Sequence, residues 1–273
     1  LSAMREAGRE HITVKGGKFL EAVASADTIV FDKTGTLTHA CPRVARVIPF
    51  NGMEEAEMLR LAACLEEHFP HSMANAVVEE AKRRGLSHEE RHAKVEYLVA
   101  HGIASSVDGE QVCIGSAHFI FEDEKCVIPE GEENKFDALP PEFSQLYLAI
   151  DGVLSAVICI SDPLREEARE VLSALRNLGV KKLVMLTGDS PRTAASIAEE
   201  LGVDDFRAGV LPADKAEYVA AIRREGHTVL MVGDGINDSP ALSEADAGIA
   251  ISDGAAIARE IADITIAAND LFE

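Results

Sequence analysis

The sequence predicts an α/β protein in which a doubly wound parallel sheet is interrupted by an inserted α+β domain built on an antiparallel sheet. Apolar runs of strand length alternate with helical patterns throughout the second half, as in parallel sheets covered on both faces. A run of the same kind, Thr28 to Phe31, lies near the N-terminus. The stretch between that run and its next counterpart is too long for one crossover, so it must hold a second domain.

The elements of the parallel sheet follow one another in a regular order. Their predicted positions are strands at 28–31, 182–186, 206–210, 228–232, 247–251 and 264–266, and helices at 191–201 and 212–225. Pro212 suits the first turn of its helix, where a missing N–H costs nothing. Functional residues of such sheets gather at the carboxyl ends of the strands.

The insert has a different pattern. Its predicted elements are helices at 54–67 and 72–84, then strands at 95–99, 103–107, 111–114, 146–150 and 154–160. Asp108-Gly109 and Asp151-Gly152 are hairpin signals that favour antiparallel pairing. The acidic stretch 122–141 is predicted to be a surface loop. We therefore place one domain at 1–39 and 161–273, and the inserted domain at 40–160.

Composition and charge exclude several classes of protein. The 273 residues carry a formal net charge of −21, which argues against a binder of nucleic acid or of anionic membranes, because both need basic patches. No apolar run approaches the roughly 18–20 residues of a membrane span. The five cysteines contain no CxxC pair and are interpreted as reduced thiols of a cytosolic protein.

Three predicted strands end in polar loops that contain aspartate. These loops hold Asp32, the triplet Thr187-Gly188-Asp189, and Asp234 with Asp238. If the loops converge, Asp32 is placed as a nucleophile that forms an acyl-phosphate. The other two aspartates would then hold Mg²⁺ with it, since Mg²⁺ prefers carboxylate oxygens.

Three residues complete this predicted phosphate site. Thr187 is placed to hydrogen-bond the transferred phosphoryl oxygens, and Gly188 lets the backbone approach closely. Lys215, behind the first turn of its helix, is placed to neutralise phosphoryl charge. Each of these residues alone is typical of an ordinary turn or surface position, so the prediction depends on the ordered set.

That ordered set resembles a known family. The sequence reads DKTGTLT at 32–38, TGD at 187–189, PxxK at 212–215 and GDGINDSPAL at 233–242. Together these motifs resemble the P-type ATPases of the haloacid-dehalogenase-like superfamily, and the last motif resembles their heavy-metal-transporting (type IB) branch. The resemblance implies a Rossmann-like phosphorylation domain carrying an inserted nucleotide-binding domain.

The resemblance also implies roles for individual residues. Asp32 would be phosphorylated by ATP, with Lys215 and Thr187 as the other catalytic residues. Mg²⁺ would be bound by Asp32, the Thr34 backbone, Asp234 and Asp238. The residues implied to contact phosphate are Lys33, Thr34, Gly35, Thr36, Thr187, Gly188, Asp189, Lys215 and Asn237.

One position favours a pump over a phosphatase. Phosphatases of the superfamily carry a second aspartate two residues after the nucleophile, as a general acid and base, and here that position is Thr34. Without that group the aspartyl-phosphate should persist. A stand-alone phosphatase remains the alternative. A third hypothesis is a regulatory nucleotide- or metal-binding module that uses His68, His71 and the cysteines.

The resemblance places the nucleotide site in the insert. His71, in His71-Ser72-Met73-Ala74, matches the histidine that contacts adenine in the heavy-metal branch, although Pro70 precedes it and Ser72 departs from the motif. Glu66 would line the same pocket, and His68 is a rival to His71. A family glycine motif corresponds to 100–103 and a Gly-Asn pair to 115–116, which assigns Ala100, Gly102, Ile103, Gly115 and Ser116 to the nucleotide. A bend in a strand explains Gly102 equally well.

By this resemblance the chain is the catalytic portion of an ATP-driven heavy-metal cation pump, at the cytoplasmic face of the membrane. Its partners would be ATP, the membrane and actuator domains of the same pump, and the transported cation; zinc, cadmium, copper, manganese and cobalt all stay open. Residues 1–21 are interpreted as a stalk leading from a membrane helix, and 269–273 as the approach to the next one. Cys41-Pro42 is interpreted as a hinge, with the return hinge near 161–163.

Overall fold

The computed structural model describes residues 2–67, 72–86, 92–98, 102–235, 237–251, 260–267 and 271–272. The chain forms two compact units. We call Leu1–Ala40 with Leu164–Glu273 the split unit, and Cys41–Pro163 the inserted unit. Within the described ranges, no helix has both the length and the apolar character that crossing a membrane requires.

The regular elements are numbered here in chain order. The strands are β1 Ile12–Val14, β2 Thr28–Asp32, β3 Arg43–Pro49, β4 His92–Leu98, β5 Gly102–Val107, β6 Glu110–Gly115, β7 Ser144–Ile150, β8 Val153–Ser161, β9 Lys182–Leu186, β10 Asp205–Arg207, β11 Val229–Gly233, β12 Ala247–Ile251 and β13 Ile264–Ile266. The helices are α1 Ser2–Ala7, α2 Gly17–Ser25, α3 Glu55–Glu66, α4 Ser72–Arg83, α5 Glu133–Asp137, α6 Ala168–Asn177, α7 Pro191–Leu201, α8 Pro212–Arg224 and α9 Ser239–Glu244.

The split unit is built on a sheet with the strand order β1-β13-β12-β11-β2-β9-β10 in the described residues. Every pair is parallel except β1 with β13. The central strand β2 is buried along its whole length. Ile29 and Phe31 pack into the core on one face, and Val30 packs into the core on the other. This alternation is what a strand covered on both faces requires, and the predicted parallel sheet is confirmed.

Aspartate side chains secure the strands of this sheet at the edge away from Asp32. Asp204 accepts a hydrogen bond from the Leu183 N–H at 2.8 Å, and Asp246 accepts one from the Val229 N–H at 2.8 Å. These bonds satisfy N–H groups at the starts of β9 and β11, which would otherwise be costly to bury. The two strands that flank β2 are therefore fixed in position from their amino ends.

The inserted unit is built on an antiparallel sheet with the order β3-β8-β7-β6-β5-β4. Helices α3 and α4 cover one face through a core that includes Leu59, Val77 and Ile158. A second core, which includes Phe119 and Leu154, fills the other face. The predicted helix pair on an antiparallel sheet is therefore confirmed.

Several segments differ from the sequence-based expectation. Residues 1–21, interpreted as a stalk, contain β1, which pairs with β13 and so belongs to the sheet. Strand β3 was not predicted, and neither were α2 and α6. The stretch 122–141, predicted to be a surface loop, contains α5 and buries Cys126 and Leu139, because apolar residues spaced irregularly in it fill the second core. Strand β10 ends at Arg207 rather than continuing to residue 210.

Candidate active site

Three neighbouring strands bring their carboxyl ends to one edge of the split unit's sheet. Strand β2 lies between β11 and β9, and the three strands end at Asp32, just before Asp234 and just before Thr187. Parallel strands present their carboxyl ends at the same edge, where open α/β sheets hold their ligands. The predicted convergence of the three polar loops is therefore present.

Lys215 joins two aspartates at this edge. Its Nζ lies 2.7 Å from Asp32 Oδ1 and 2.7 Å from Asp238 Oδ1. Lys215 reaches them from the first turn of α8, which begins at Pro212. All three side chains are buried. Two carboxylates and one ammonium leave an excess of negative charge in a site largely closed to water.

Burial and that excess charge shift the pKa values of the three groups. Burial and the carboxylates of Asp238 and Asp234 raise the pKa of Asp32 to about 7, against the lowering effect of Lys215. Burial likewise raises the pKa of Asp238. Burial acts to lower the pKa of Lys215, but its two aspartate partners outweigh burial and raise it. The site therefore favours a bound cation, and Lys215 stays charged.

Asp238 takes its position because Gly233 has no side chain. Asp238 Oδ2 accepts a hydrogen bond from the Asp234 N–H at 3.4 Å. A Cβ atom on Gly233 would lie 2.6 Å from that same Oδ2 and 2.9 Å from the Asp238 Cβ. The glycine of this motif is therefore required by the return of Asp238 onto the end of β11.

A second buried ion pair lies beside the first. Lys33 Nζ is 2.7 Å from Asp189 Oδ2. The Thr187 hydroxyl donates to the same Oδ2 at 2.8 Å, and the Asp189 N–H donates to Thr187 Oγ1 at 3.1 Å. The structure thus brings together three residues predicted to contact phosphate, and it gives Asp189 the arrangement of a residue that positions Lys33 and Thr187.

The loop after Asp32 has an irregular backbone. Thr34 is extended, with φ −75° and ψ 121°, and Gly35 has φ 80°, a conformation that favours glycine. The Gly35 N–H donates to Thr38 Oγ1 at 3.0 Å. Thr36 is fully buried, and its hydroxyl finds no hydrogen-bond partner in the described part of the chain. An orphaned buried hydroxyl of this kind is costly and suits a ligand oxygen as its partner.

Asn237 and Asp234 form a local pair at the neighbouring loop. The Asn237 side-chain amide donates to Asp234 Oδ2 at 2.9 Å, and its backbone N–H donates to Asp234 Oδ1 at 3.1 Å. Asn237 therefore orients the Asp234 carboxylate, which is close enough to Asp32 to raise its pKa.

The donor set suits a hard divalent cation that binds together with phosphate. Among the residues described, no three His, Cys, Asp or Glu side chains are arranged to hold a metal ion alone, and Lys215 engages one oxygen each of Asp32 and Asp238. Mg²⁺, however, is commonly bound through one or two carboxylates together with substrate phosphate and water. Asp32 and Asp234, with the Thr34 carbonyl, supply donors of that type. Asp238 was predicted as a further Mg²⁺ ligand, but Lys215 engages one of its oxygens and the Asp234 N–H engages the other.

Sequence reasoning missed Arg165. This arginine is buried, and its Nε donates to the Thr36 carbonyl at 2.8 Å. Its backbone N–H donates to the Leu37 carbonyl at 2.9 Å. It belongs to no motif recognised above, and an arginine just before a helix is usually a surface charge. The contact joins two residues that lie 129 positions apart in the sequence, so only the structure reveals it.

The residues predicted to bind nucleotide lie in the inserted unit. Gly102 and Ile103 begin β5, Gly115 ends β6 directly opposite Gly102, and Ser116 follows. Glu66 ends α3 and is buried. His71 and Ala100, and the rival His68, lie outside the described residues.

Packing explains two of these residues without a ligand. A Cβ atom on Gly102 would lie 2.2 Å from the Phe119 ring and 2.7 Å from the Ile114 carbonyl oxygen. Ser116 Oγ accepts a hydrogen bond from the Phe119 N–H at 3.2 Å. The Phe119 ring therefore requires a glycine at position 102, and the Phe119 backbone N–H uses the Ser116 hydroxyl as its acceptor.

Known proteins resemble the chain along nearly its whole length. Residues 26–246 match the haloacid dehalogenase-like hydrolase family. A zinc-exporting P-type ATPase of Mycobacterium marinum is 41% identical over 272 residues, covering 99% of this chain and 37% of that protein. A manganese-exporting P-type ATPase of Mycobacterium bovis is 40% identical over 273 residues, with coverages of 99% and 38%. The chain thus spans less than two-fifths of these relatives.

A solved structure of the catalytic domain of the CPx-ATPase CopB-B, determined in work on nucleotide binding, superimposes with a TM-score of 0.76 at 26% identity. The match covers 99% of this chain and 96% of that one, so the relationship extends to both units. Because the family match spans the loops that carry Asp32, Thr187, Lys215 and Asp234, the chain belongs to the haloacid dehalogenase-like hydrolases, and within them it is homologous to the catalytic domains of heavy-metal P-type ATPases.

Proposed function

We propose that this chain accepts the γ-phosphoryl group of ATP on Asp32 and so forms the aspartyl-phosphate that drives a heavy-metal cation pump. The observation that carries the proposal is the contact of Lys215 with both Asp32 and Asp238 at 2.7 Å, beside the Lys33–Asp189–Thr187 cluster. In this proposal the split unit is the phosphorylation domain, and the inserted unit is the nucleotide-binding domain.

The chemical step is an in-line displacement. A carboxylate oxygen of Asp32 attacks the γ-phosphorus, the bond from that phosphorus to the β,γ-bridging oxygen breaks, and ADP leaves with the bond's electron pair. Lys215 already holds one Asp32 oxygen, which orients the carboxylate and places positive charge beside the transferring group. The orphaned Thr36 hydroxyl supplies a donor for a phosphoryl oxygen, and the Thr187 hydroxyl supplies another when it turns away from Asp189 Oδ2.

Positive charge is needed because ATP brings more anionic oxygens to a site already rich in carboxylate. Asp32, Asp234 and the Thr34 carbonyl would hold Mg²⁺, which when bound neutralises the charge that develops on the phosphoryl oxygens. Lys215 supplies the protein's own share of that neutralisation. Asp238 keeps Lys215 in place, and Asn237 keeps Asp234 oriented.

The aspartyl-phosphate should be long-lived because position 34 carries no general acid or base. Threonine has no acid or base function near neutral pH, so no side chain there activates water against the acyl-phosphate. The intermediate should therefore outlive the phosphorylation step, as coupling to transport requires. We expect slow turnover of ATP by the chain alone.

We assign the nucleotide to the inserted unit, with Glu66, His71, Ala100, Gly102, Ile103, Gly115 and Ser116 as the residues that would contact it. The CopB-B catalytic domain, which changes conformation on nucleotide binding, supports nucleotide binding by this chain, and the choice of unit and residues rests on the family resemblance. The packing of Gly102 against Phe119 explains why this residue is a glycine. Its contact with nucleotide is proposed from the family resemblance alone.

Transport itself belongs to a longer protein in this proposal. Because the chain spans less than two-fifths of its relatives, we place the membrane and actuator domains outside it, and we place the chain at the cytoplasmic face of the membrane. Relatives named for zinc and for manganese match almost equally well, so the transported cation is proposed only as a heavy-metal ion.

The proposal is tested by incubating the chain with γ-labelled ATP and Mg²⁺. We expect acid-stable label that hydroxylamine removes, as an acyl-phosphate requires, and no label on the Asp32→Asn variant. An Asp214→Asn variant, which changes an exposed aspartate on α8, should label normally. Label that survives hydroxylamine, or equal labelling of Asp32→Asn, contradicts the proposal. Fast hydrolysis of unrelated phosphate esters would favour the phosphatase.

A further inference from the structure

We propose that Arg165 is a positioning residue for residues 33–38, which we call the acceptor loop. It would hold Asp32 and Lys33 in the geometry that phosphorylation needs. This inference rests on the proposed function and adds a residue to it. Arg165 lies just after the point where the chain re-enters the split unit at Leu164. Its side chain is only 6% exposed, which is unusual for a charged residue without a dedicated role.

The guanidinium of Arg165 contacts the backbone of the loop that follows Asp32. Its Nε group donates to the Thr36 carbonyl at 2.8 Å, and its Nη1 lies 3.9 Å from Glu167 Oε1. A charged donor to a carbonyl in a buried site makes a strong and directional hydrogen bond. The guanidinium therefore fixes the orientation of the peptide that follows Thr36.

The backbone of Arg165 fixes the next peptide as well. Its N–H donates to the Leu37 carbonyl at 2.9 Å, and Thr38 forms an antiparallel bridge with Leu164. In a trans peptide the carbonyl and the N–H point in opposite directions. The Thr38 N–H accordingly points to the other side of the loop and donates to the Lys33 carbonyl at 3.1 Å.

A continuous set of hydrogen bonds thus runs from Arg165 to the residue next to Asp32. One peptide unit links the backbone N–H of Arg165 to Lys33, and Lys33 is itself held by Asp189 at 2.7 Å. The guanidinium adds a second contact with this loop, at the Thr36 carbonyl. Releasing the Thr36 carbonyl would let the loop after Asp32 shift by a fraction of an ångström or more. Misplacement of a reacting group by about 1 Å costs about 100-fold in rate.

A positioning role for Arg165 predicts a change in the rate of phosphorylation without a change in the affinity for nucleotide. Arg165 contacts the acceptor loop of the split unit, while the proposed nucleotide residues lie in the inserted unit. Replacing Arg165 should therefore slow phosphorylation at saturating ATP and leave the affinity for nucleotide unchanged. A merely structural role would lower the melting temperature and would not produce this split at temperatures where the variant is folded.

The test compares Arg165→Gln, Arg165→Lys and the control Arg169→Gln in the full 273-residue chain. Arg169 is exposed on α6, four positions away. We measure the rate of aspartyl-phosphate formation at saturating Mg-ATP, the Kd of a fluorescent ATP analogue, and hydrogen exchange of the 33–38 amides. Circular dichroism confirms that each variant is folded at the assay temperature.

For Arg165→Gln we expect phosphorylation slowed by about 10- to 100-fold, an unchanged Kd and faster exchange of the loop amides. Arg165→Lys, which keeps the charge and one donor but loses the planar guanidinium, should lie between Arg165→Gln and wild type. Arg169→Gln should match wild type in all three measurements.

Two results overturn the inference while leaving the proposed function standing. One is an Arg165→Gln rate within about twofold of Arg169→Gln, and the other is a Kd that weakens in parallel with the rate. Failure of the proposed function has a different signature, because wild type itself then carries no hydroxylamine-sensitive label; that result overturns both. If Arg165→Gln does not fold, the rate and exchange of Arg165→Lys decide between the same outcomes.

Discussion

Lys215 Nζ lies 2.7 Å from Asp32 Oδ1, although 183 positions separate the two residues in the sequence. The same Nζ lies 2.7 Å from Asp238 Oδ1. One ammonium therefore holds together two carboxylates that desolvation and mutual repulsion would otherwise drive apart.

The charge of Lys215 should be needed for folding stability as well as for phosphoryl transfer. Lys215→Met leaves two buried carboxylates without their counter-charge, which typically costs about 3–5 kcal/mol in the free energy of unfolding. Mg²⁺ should restore part of that loss, because a bound cation replaces the missing charge. Urea unfolding with and without Mg²⁺ measures both effects.

Arg224→Met provides the matched control for Lys215→Met, because Arg224 is an exposed cation on the same helix. Its replacement should change stability by no more than about 0.5 kcal/mol and should show no Mg²⁺ dependence beyond that of wild type. Equal destabilisation of the two variants would refute the special position of Lys215.

Asp32→Asn should stabilise the chelator-treated protein near neutral pH. The folded state raises the pKa of Asp32 to about 7, so the folded protein holds a proton that the unfolded chain releases above about pH 4. The bound proton makes its whole contribution to the free energy of unfolding at low pH, and this contribution is lost as the pH rises toward 7. Asparagine, which does not ionise, escapes the loss.

The gain from Asp32→Asn should therefore be about 1–4 kcal/mol at pH 7.5 and close to zero at pH 4. Chemical unfolding of wild type and variant across this range, in the presence of a chelator, measures it. A gain that is constant with pH would mean that Asp32 ionises in the folded protein at its ordinary pKa.

Gly233→Ala should be strongly destabilising, and Gly188→Ala should not. A Cβ atom at 233 meets Asp238 at 2.6 Å, whereas one at 188 has nothing closer than the Val210 carbonyl oxygen at 3.9 Å. Overpacking of the first kind typically costs about 1–3 kcal/mol. Thermal unfolding compares the two variants, and similar melting temperatures would show that Asp238 does not return onto β11.

Cys41 should be the first cysteine to react with iodoacetamide in the folded chain. It is exposed, while the other four cysteines are buried. Burial also raises the pKa of Cys113 to about 12 and that of Cys159 to about 11, so neither forms the reactive thiolate at pH 8. Peptide mass spectrometry should find one alkylated site; rapid alkylation of Cys113 or Cys159 would contradict the second core.

The sequence predicted the elements whose pattern is strong. Strand β9 and helix α7 have the predicted limits, because a short apolar run and a proline-initiated helix are each followed by clear breaks. The motif order located the carboxyl edge of the sheet, since the motifs that start at Asp32, Gly233 and Thr187 each begin where a strand ends. What the pattern could not supply was the pairing of Lys215 with Asp32 and Asp238, which depends on the crossover of α8.

The missed features are those set by tertiary contact. Strand β1 is only three residues long and exists because β13, far along the chain, offers it an edge. Arg165 has no local signal, because the Thr36 carbonyl that it contacts lies 129 positions away in the sequence. Gly102 was predicted to contact nucleotide, yet its close packing against the Phe119 ring is enough to require a glycine at this position.

The most direct test of the account identifies the residue that carries the phosphoryl group. After brief incubation with Mg-ATP, borohydride reduction converts an aspartyl-phosphate to homoserine, which peptide mass spectrometry locates in the sequence. We expect homoserine at position 32, dependent on ATP and absent after prior hydroxylamine treatment. Homoserine at Asp189, Asp234 or Asp238, or none at any position while ATP is consumed, would contradict the central claim.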